Sequence, residues 1–216
     1  MSTAQSRLEI AVDVFEEKAK RASIIPDLTA RELIEAIVQE FRSLPYLSDA
    51  PEDYQLLRAR DQAPLDPAKP LGQQLKPDEK LILVEHEPRL PPGTQRPTQH
   101  TYLREEATGK VYKLHWSPAL IGRPDNSLAN NEQLAVNLAA HERGLRVSRR
   151  QAQITEQNGH WVIESLSQNQ TTIRDGLGQE VVLNGLVLPL EPGHVVSLDQ
   201  SQIVLKLVVR TEERPS

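Results

Sequence analysis

The proline-rich segment at residues 88–99 constrains the fold more than any other feature of this sequence. It carries four prolines and no apolar periodicity, so neither a regular helix nor a central strand can run through it. We therefore predict two domains, 1–87 and 100–211, joined by a semi-stiff spacer and followed by a short tail at 212–216. Residues 88–91 also match the PxxP pattern of recognition ligands, although a plain spacer is the favoured interpretation.

Composition excludes several classes of function. The chain has no cysteine, which rules out a disulfide framework, a thiolate metal site and a Cys nucleophile. A net charge of -5 and an aromatic content of 4% argue against a duplex-DNA reader and against base stacking on single strands. The start of the sequence has no signal-peptide core, and no apolar run is long enough to cross a bilayer. We expect a soluble, cytoplasmic protein with no nucleic-acid partner and no membrane insertion.

The charge is distributed unevenly. Residues 1–90 carry 12 Lys and Arg against 17 Asp and Glu, whereas residues 91–216 carry 13 against 13. Within the neutral part, four arginines (143, 146, 149 and 150) fall inside eight residues, with Glu142 as the neighbouring acid. Any anion-binding site is therefore local.

The first part has the pattern of a small α+β domain. Apolar residues alternate along 8–14, as in a strand with one buried face. Thr29 and Glu32 form a capping-box pair, and apolar residues at helical spacing follow it. Further strands are predicted at 22–25, 54–59 and 81–84.

This order of strand, strand, helix, strand, strand resembles the β-grasp fold of ubiquitin-like domains, in particular small bacterial ubiquitin-like proteins associated with secretion systems. Ubiquitin-family modifiers end in Gly-Gly, but here residues 83–89 run straight into the proline-rich segment, so conjugation is not expected. An unrelated α+β domain is the alternative.

The second part has the pattern of an all-β domain. Short apolar runs alternate with turn signals, and no helical periodicity stands out. A hairpin is predicted across residues 107–109, and two more at the Asn-Gly pairs 158–159 and 184–185, because Asn-Gly favours the type I′ turn. Together these predict a β-sandwich.

Three polar blocks fall between these strands: Gly122-Arg123, Ser148-Arg149-Arg150 and the stretch 167–171. A guanidinium presents a planar fork to phosphate oxygens, and a serine hydroxyl adds a short donor. An Asn amide can bond a peptide backbone with both its donor and its acceptor. Arg, Ser and Asn at one end of a sandwich describe a site for a phosphorylated peptide.

The ordered blocks over about 100–211 resemble the forkhead-associated (FHA) domain, whose pattern reads Gly-Arg, Ser-Arg-x-His, Asn-Gly-Thr. The resemblance implies an eleven-stranded β-sandwich that binds phosphothreonine peptides. It further implies that Arg123 contacts phosphate or peptide backbone, Ser148 bonds a phosphate oxygen and Arg149 adds charge. Asn169 would hold the backbone after the phosphothreonine, and Thr171 completes the set.

The sequence departs from the FHA pattern at three places. Gln151 stands where the family has His, which mainly supports a loop, and Gln170 stands where it has Gly. The loop 124–147 is longer than usual, so an ordered flap and a disordered insertion are both open. Arg150 and Gln151 are auxiliary candidates for the site.

Other interpretations of these residues remain open at this stage. Arg123 could be a fold-stabilising arginine, Arg149 and Arg150 a solvated surface, and Asn169 a turn cap. The six histidines (86, 100, 115, 141, 160 and 194) lack ligand-like spacing, so no metal is expected.

The first hypothesis for function is a non-enzymatic adaptor. Its FHA domain would bind a phosphothreonine-containing protein made by a Ser/Thr kinase, and its ubiquitin-like domain would dock a second partner. No phosphate-binding glycine loop or hydrolase motif is present, so no cofactor is expected. The alternative is a phospho-independent assembly subunit of a larger, possibly secretion-related machine.

Overall fold

The computed structural model describes residues 7–128 and 130–210. The chain divides into two compact units, of which the described parts are 7–87 for the first and 88–128 with 130–210 for the second. The predicted tail at 212–216 lies outside the described residues. No helix in the described ranges is long and apolar enough to span a bilayer.

The first unit is a four-stranded mixed sheet with one helix. Its elements are β1 (Leu8–Val14), β2 (Glu17–Ile24), α1 (Ala30–Glu40), β3 (Tyr54–Arg58) and β4 (Glu79–Glu85). The strand order is β2-β1-β4-β3, with β1 and β4 parallel and the other pairs antiparallel. The parallel pair joins the first and last strands of the unit at the centre of the sheet.

Helix α1 begins at the predicted capping box. The Thr29 hydroxyl accepts from the Glu32 amide at 3.3 Å, and the Glu32 carboxylate accepts from the Thr29 amide at 2.8 Å. The Thr29 amide and hydroxyl both donate to the Glu32 carboxylate and hold its pKa below its ordinary value. The apolar face of the helix, including Leu33 and Ile37, packs into the core of the sheet, as the helical spacing predicts.

The second unit contains eleven strands within its described residues. They are β5 (His100–Glu105), β6 (Val111–Lys113), β7 (Ala119–Gly122), β8 (Leu134–Asn137), β9 (Arg150–Gln157), β10 (His160–Ser165), β11 (Thr171–Arg174), β12 (Glu180–Val182), β13 (Val187–Leu190), β14 (Val195–Leu198) and β15 (Ile203–Arg210). They form a five-stranded sheet, β13-β10-β9-β7-β8, and a six-stranded sheet, β12-β11-β14-β15-β5-β6. Ile121, Ile163 and Leu205 are fully buried in the core that both sheets line. The predicted β-sandwich is confirmed at this level of architecture.

The two Asn-Gly pairs behave differently. Asn158 and Gly159 have φ of 53° and 79° and join the antiparallel strands β9 and β10, as a type I′ hairpin requires. The hairpin predicted at 184–185 is wrong, because β12 pairs with β11 and β13 pairs with β10. Of this second pair only Gly185 has a positive φ. The turn carries the chain from one sheet to the other, which a dipeptide signal alone does not reveal.

The proline-rich segment belongs to the second unit and is hydrogen-bonded to the rest of it. Gln95 and Ser117 exchange two backbone hydrogen bonds of 2.9 Å. The Thr98 amide donates to the Glu156 carboxylate at 2.9 Å, and the Gln133 amide donates to the Pro92 carbonyl. Where the sequence predicts a spacer, the structure shows residues 92–98 bound along the sandwich.

The long loop 124–147 contributes to the sheet. Its described residues include β8, which pairs in parallel with β7 at the sheet edge. Short 3-10 turns at Asn131–Gln133 and Gly144–Arg146 flank that strand. An added edge strand is therefore the structural role of much of this loop.

Candidate functional site

The site is built where β7 and β9 come into very close contact. A β-carbon added to Gly122 would lie 2.3 Å from the Arg149 carbonyl oxygen, so only glycine allows this approach. The Arg123 amide then donates to that same carbonyl at 3.1 Å. The backbone thus places the first two polar blocks side by side.

Arg123 is half-buried and partly engaged with the protein itself. Its Nε donates to the Val147 carbonyl at 2.6 Å. The carbonyl of Arg123 accepts from Arg150 Nη1 at 3.2 Å. Arg123 therefore fixes the loop that leads to Ser148, and this contact agrees with the fold-stabilising interpretation of the residue.

The serine and asparagine blocks meet through a pair of hydroxyls. Ser148 Oγ lies 2.6 Å from Ser167 Oγ, and the Ser167 hydroxyl also accepts from the Asn169 amide at 2.9 Å. Asn169 Nδ2 donates to the Arg146 carbonyl at 3.4 Å. The second and third blocks, far apart in sequence, are therefore adjacent in space.

Gln151 is the buried support of these loops. Its Oε1 accepts from the Ser148 amide at 3.1 Å, while its Nε2 donates to the Asn169 carbonyl at 2.8 Å and to Thr171 Oγ1 at 2.9 Å. The side chain is 1% exposed. Gln at this position makes the loop-supporting hydrogen bonds that the resemblance assigns to His.

Thr171 requires a correction. It is fully buried, and its hydroxyl accepts from Gln151. A side chain without solvent access cannot contact an incoming peptide. Thr171 therefore stabilises the loop 165–170 from the core side, through its hydrogen bond with Gln151. Gln151 is likewise buried and supports the loop without reaching its surface.

The arginine pair differs from a simple solvated surface. Arg149 Nε lies 2.8 Å from Asp125 Oδ2, and the Arg149 side chain is 64% exposed. Arg150 donates to the carbonyls of Arg123 and Arg149 and to Asn131 Oδ1. Arg150 therefore ties the loops together, and Arg149 is the arginine that extends toward solvent.

Asp125 is a charged neighbour of the site. Hydrogen bonds from the Ser127 hydroxyl and amide, with the nearby charges of Arg149 and Arg150, hold the pKa of Asp125 below its ordinary value, against a smaller rise from desolvation. The carboxylate is therefore ionised at neutral pH. Three arginines (123, 149 and 150) and one carboxylate lie within this small region.

A groove of about 560 Å³ opens beside the serine and asparagine blocks. One wall is the loop Ser165–Gln170 and the other is the corner 182–185. The groove shares Ser167 and Asn169 with the polar site. An extended peptide segment bound at the polar site could continue along it.

No cluster of three or more His, Asp and Glu residues that could hold a metal ion occurs in the part of the chain that the structure describes. Apart from the Asp125 carboxylate, which is paired with Arg149, the side chains at the site are cationic, hydroxyl and amide groups. Such groups suit the recognition of an anion.

The structure brings together four of the residues identified from sequence: Arg123, Ser148, Arg149 and Asn169. Asp125 was missed, and Ser167 was identified only as part of the third polar block, without a role of its own. Ser167 starts the third polar block, and Asp125 follows Arg123 by two residues in a Pro-Asp-Asn turn sequence. The sequence signal for both residues was therefore their position within or next to a polar block.

No protein-family model and no curated protein matches the chain. Similar solved structures include the FHA domain of human APLF in complex with a bisphospho peptide, at 21% identity, with 50% of this chain and 97% of that chain covered and a TM-score of 0.37. Another is Mycobacterium tuberculosis EmbR in complex with a low-affinity phosphopeptide, at 19% identity and a TM-score of 0.40. That match covers 54% of this chain and 26% of the EmbR chain.

A third similar structure is a designed protein based on ubiquitin, at 22% identity, with 39% of this chain and 95% of that chain covered and a TM-score of 0.31. All three TM-scores are below 0.5. The assignment of a mixed sheet in the first unit and a β-sandwich in the second therefore depends on the strands and core of this chain alone.

Proposed function

We propose that the second unit binds phosphothreonine-containing protein segments. The observation that carries this proposal is that the loops of Arg123, Ser148, Arg149 and Asn169 are bonded to one another. The Arg123 amide donates to the Arg149 carbonyl, and Ser167 and Gln151 each bond both Ser148 and Asn169. These side chains come from three separate loops. A phosphate group on a peptide is the ligand that an exposed guanidinium, a hydroxyl and an amide would bind together.

Each side chain has a distinct role in this proposal. Arg149 contributes charge and terminal N–H donors, and Ser148 contributes a hydroxyl to one phosphate oxygen. Asn169 holds the peptide backbone beyond the phosphothreonine, at the mouth of the groove. Arg123 acts mainly by fixing the loop, because its Nε is bonded to Val147. Each charge-assisted hydrogen bond contributes about 1.5–3 kcal/mol.

The first unit is proposed as a second docking module of the ubiquitin-like β-grasp type. Support comes from its mixed sheet, with the first and last strands parallel at the centre and one amphipathic helix packed on the sheet core. The whole chain would then act as a non-enzymatic cytoplasmic adaptor downstream of a Ser/Thr kinase.

Calorimetry of the full chain tests the phosphate site. The probe is a degenerate peptide library with a fixed central phosphothreonine, compared with the same library carrying threonine. Arg149→Ala should weaken phosphopeptide binding by at least about tenfold. Arg174→Ala is the matched control, since Arg174 lies at the far end of β11 and is also solvent-exposed. It should leave binding unchanged.

Salt adds an independent measurement. Binding through an exposed guanidinium should weaken as ionic strength rises, because screening reduces the attraction between exposed charges. Equal binding of the two libraries would contradict the proposal, as would Arg149→Ala and Ser148→Ala variants that both bind like the wild type.

A phospho-independent assembly subunit is the second candidate. One observation favours it: the Ser148 hydroxyl and Arg149 Nε both already have partners within the protein. A pull-down with and without phosphatase treatment separates the two functions. A complex that survives both phosphatase and Ser148→Ala favours the assembly function.

A further inference from the structure

The contact between Asp125 and Arg149 is asymmetric. The shortest approach between the two side chains joins Asp125 Oδ2 to Arg149 Nε, at 2.8 Å. Within residues 7–128 and 130–210, the guanidinium of Arg149 donates no hydrogen bond and has no second acidic partner. A competing anion would instead occupy the terminal nitrogens, where an arginine binds an oxyanion through two parallel bonds.

Asp125 is itself held firmly in place. Its Oδ1 accepts from the Ser127 amide at 2.9 Å and from the Ser127 hydroxyl at 2.7 Å. Its backbone amide donates to Asn131 Oδ1, and its carbonyl accepts from Asn131 Nδ2. The side chain is only 14% exposed, against 64% for Arg149. The carboxylate therefore lies behind the guanidinium, on the protein side.

We propose that Asp125 is a positioning residue, which holds Arg149 by Nε so that its two terminal nitrogens face solvent for a phosphate group. This inference rests on the proposed phosphothreonine binding. Arginine has large rotamer entropy, and an arginine ordered before binding loses less of it on meeting the ligand.

The negative charge of Asp125 opposes phosphate binding. The carboxylate of Asp125 repels a phosphate, and this repulsion alone would make the residue unfavourable for binding. Oδ2 is shielded from solvent and accepts no hydrogen bond, however, so the ion-pair contact with Arg149 is what compensates its charge. If Arg149 swung away, this buried oxygen would lose that partner. The pair is therefore retained when the terminal nitrogens engage a ligand.

Asp125→Asn tests the inference in the full chain. Asparagine keeps an Oδ1 acceptor for Ser127 but removes the charge that fixes Nε. We expect phosphothreonine-library binding to weaken roughly five- to tenfold. Asp175→Asn is the matched control, because Asp175 also accepts backbone amides in a turn, from Leu177 and Gln179, at the far end of β11. It removes the same net charge and should not change binding.

A double-mutant cycle shows whether the effect passes through Arg149. On an Arg149→Ala background, Asp125→Asn should cause no further loss, whereas a general disturbance of the loop would cost binding on both backgrounds. Unchanged or tighter binding by Asp125→Asn would overturn the inference, as would losses that simply add. These results are read only after the wild type prefers the phosphorylated library, so a failure of the proposed function is seen separately, in the wild type.

Discussion

At the scale of single residues, Gln151 supports the site from within the core. Its buried amide uses both its acceptor and its donors, and it connects Ser148, Asn169 and Thr171. A buried polar group that loses its partner costs about 1–3 kcal/mol. The chemistry of the surface loops therefore depends on a side chain that no ligand can reach.

Replacing Gln151 with leucine should lower the free energy of unfolding of the second unit by about 2–4 kcal/mol, because several buried groups lose their partner. Both tryptophans, Trp116 and Trp161, lie in this unit, so urea unfolding followed by tryptophan fluorescence reports on it specifically. Gln157→Leu, at the exposed end of β9, should change stability by less than about 0.5 kcal/mol. Equal stability of the two variants would show that the buried network is dispensable.

Asp13 has the corresponding role in the first unit. Its side chain is nearly buried, with Oδ2 2.8 Å from Lys80 Nζ and Oδ1 accepting from the Ala19 amide at 2.8 Å. Burial raises the pKa of Asp13, but the Lys80 ammonium and the Ala19 amide lower it further, and the net pKa is below its ordinary value. The folded state therefore favours the ionised form.

Asp13→Asn should destabilise the first unit by about 1–3 kcal/mol at pH 7. Because the folded pKa is lowered, this stabilisation is present above the ordinary pKa of about 3.9 and is lost as pH falls through the lower folded value. The measurement is amide hydrogen exchange of β1 and β2 in both proteins at several pH values. A difference between variant and wild type that grows toward acid would contradict the assignment.

At the scale of elements, the junction of β7 and β9 determines the geometry of the site. The register between the two strands shifts at Ile121 and Gly122, and a β-carbon at Gly122 would overlap the Arg149 carbonyl. Gly122→Ala should therefore push the strands apart, destabilise the unit by about 1–3 kcal/mol and weaken phosphopeptide binding.

Gly176→Ala is the control for this change, since a β-carbon there meets open space and the backbone has no positive φ. Chemical denaturation and library binding are measured for both variants. If Gly122→Ala retained wild-type stability and binding, the close approach would have no role in shaping the site.

Local patterns in the sequence predict most of these elements. The capping box at Thr29 and the Asn158-Gly159 hairpin depend on neighbouring residues only, and both are present. The turn at 184–185 fails because its flanking strands pair with different sheets. Asp125 was missed because its role also depends on a long-range contact. Its ion pair with Arg149 joins residues that only the folded chain brings together.

At the scale of the whole molecule, the net charge differs between the two parts of the chain. The acidic excess lies in residues 1–90, and the neutral remainder carries the arginine cluster. Arg149 is compensated by Asp125, and Arg143 contacts Glu142 and Gln202. A surface with such local compensation suits one phosphate on a peptide better than an extended polyanion.

The boundary of the second unit is also a property of the whole molecule. Proline content predicts a spacer at 88–99, but the structure bonds this segment to Ser117, Gln133 and Glu156. The proline content predicts that the segment has no helix or strand. It does not predict whether the backbone N–H and C=O groups of the segment are hydrogen-bonded to other parts of the chain.

A fragment beginning at residue 88 should therefore be more stable than one beginning at residue 100. Removal of the segment takes away the partner of the Glu156 carboxylate, which is 7% exposed, and the backbone pair with Ser117. We expect a loss of about 2–4 kcal/mol in the free energy of unfolding, measured by tryptophan fluorescence in urea. Adding Glu156→Gln should cost the longer fragment more than the shorter one, because only the longer fragment contains Thr98. Equal stability of the two fragments would instead assign residues 88–99 to a true spacer.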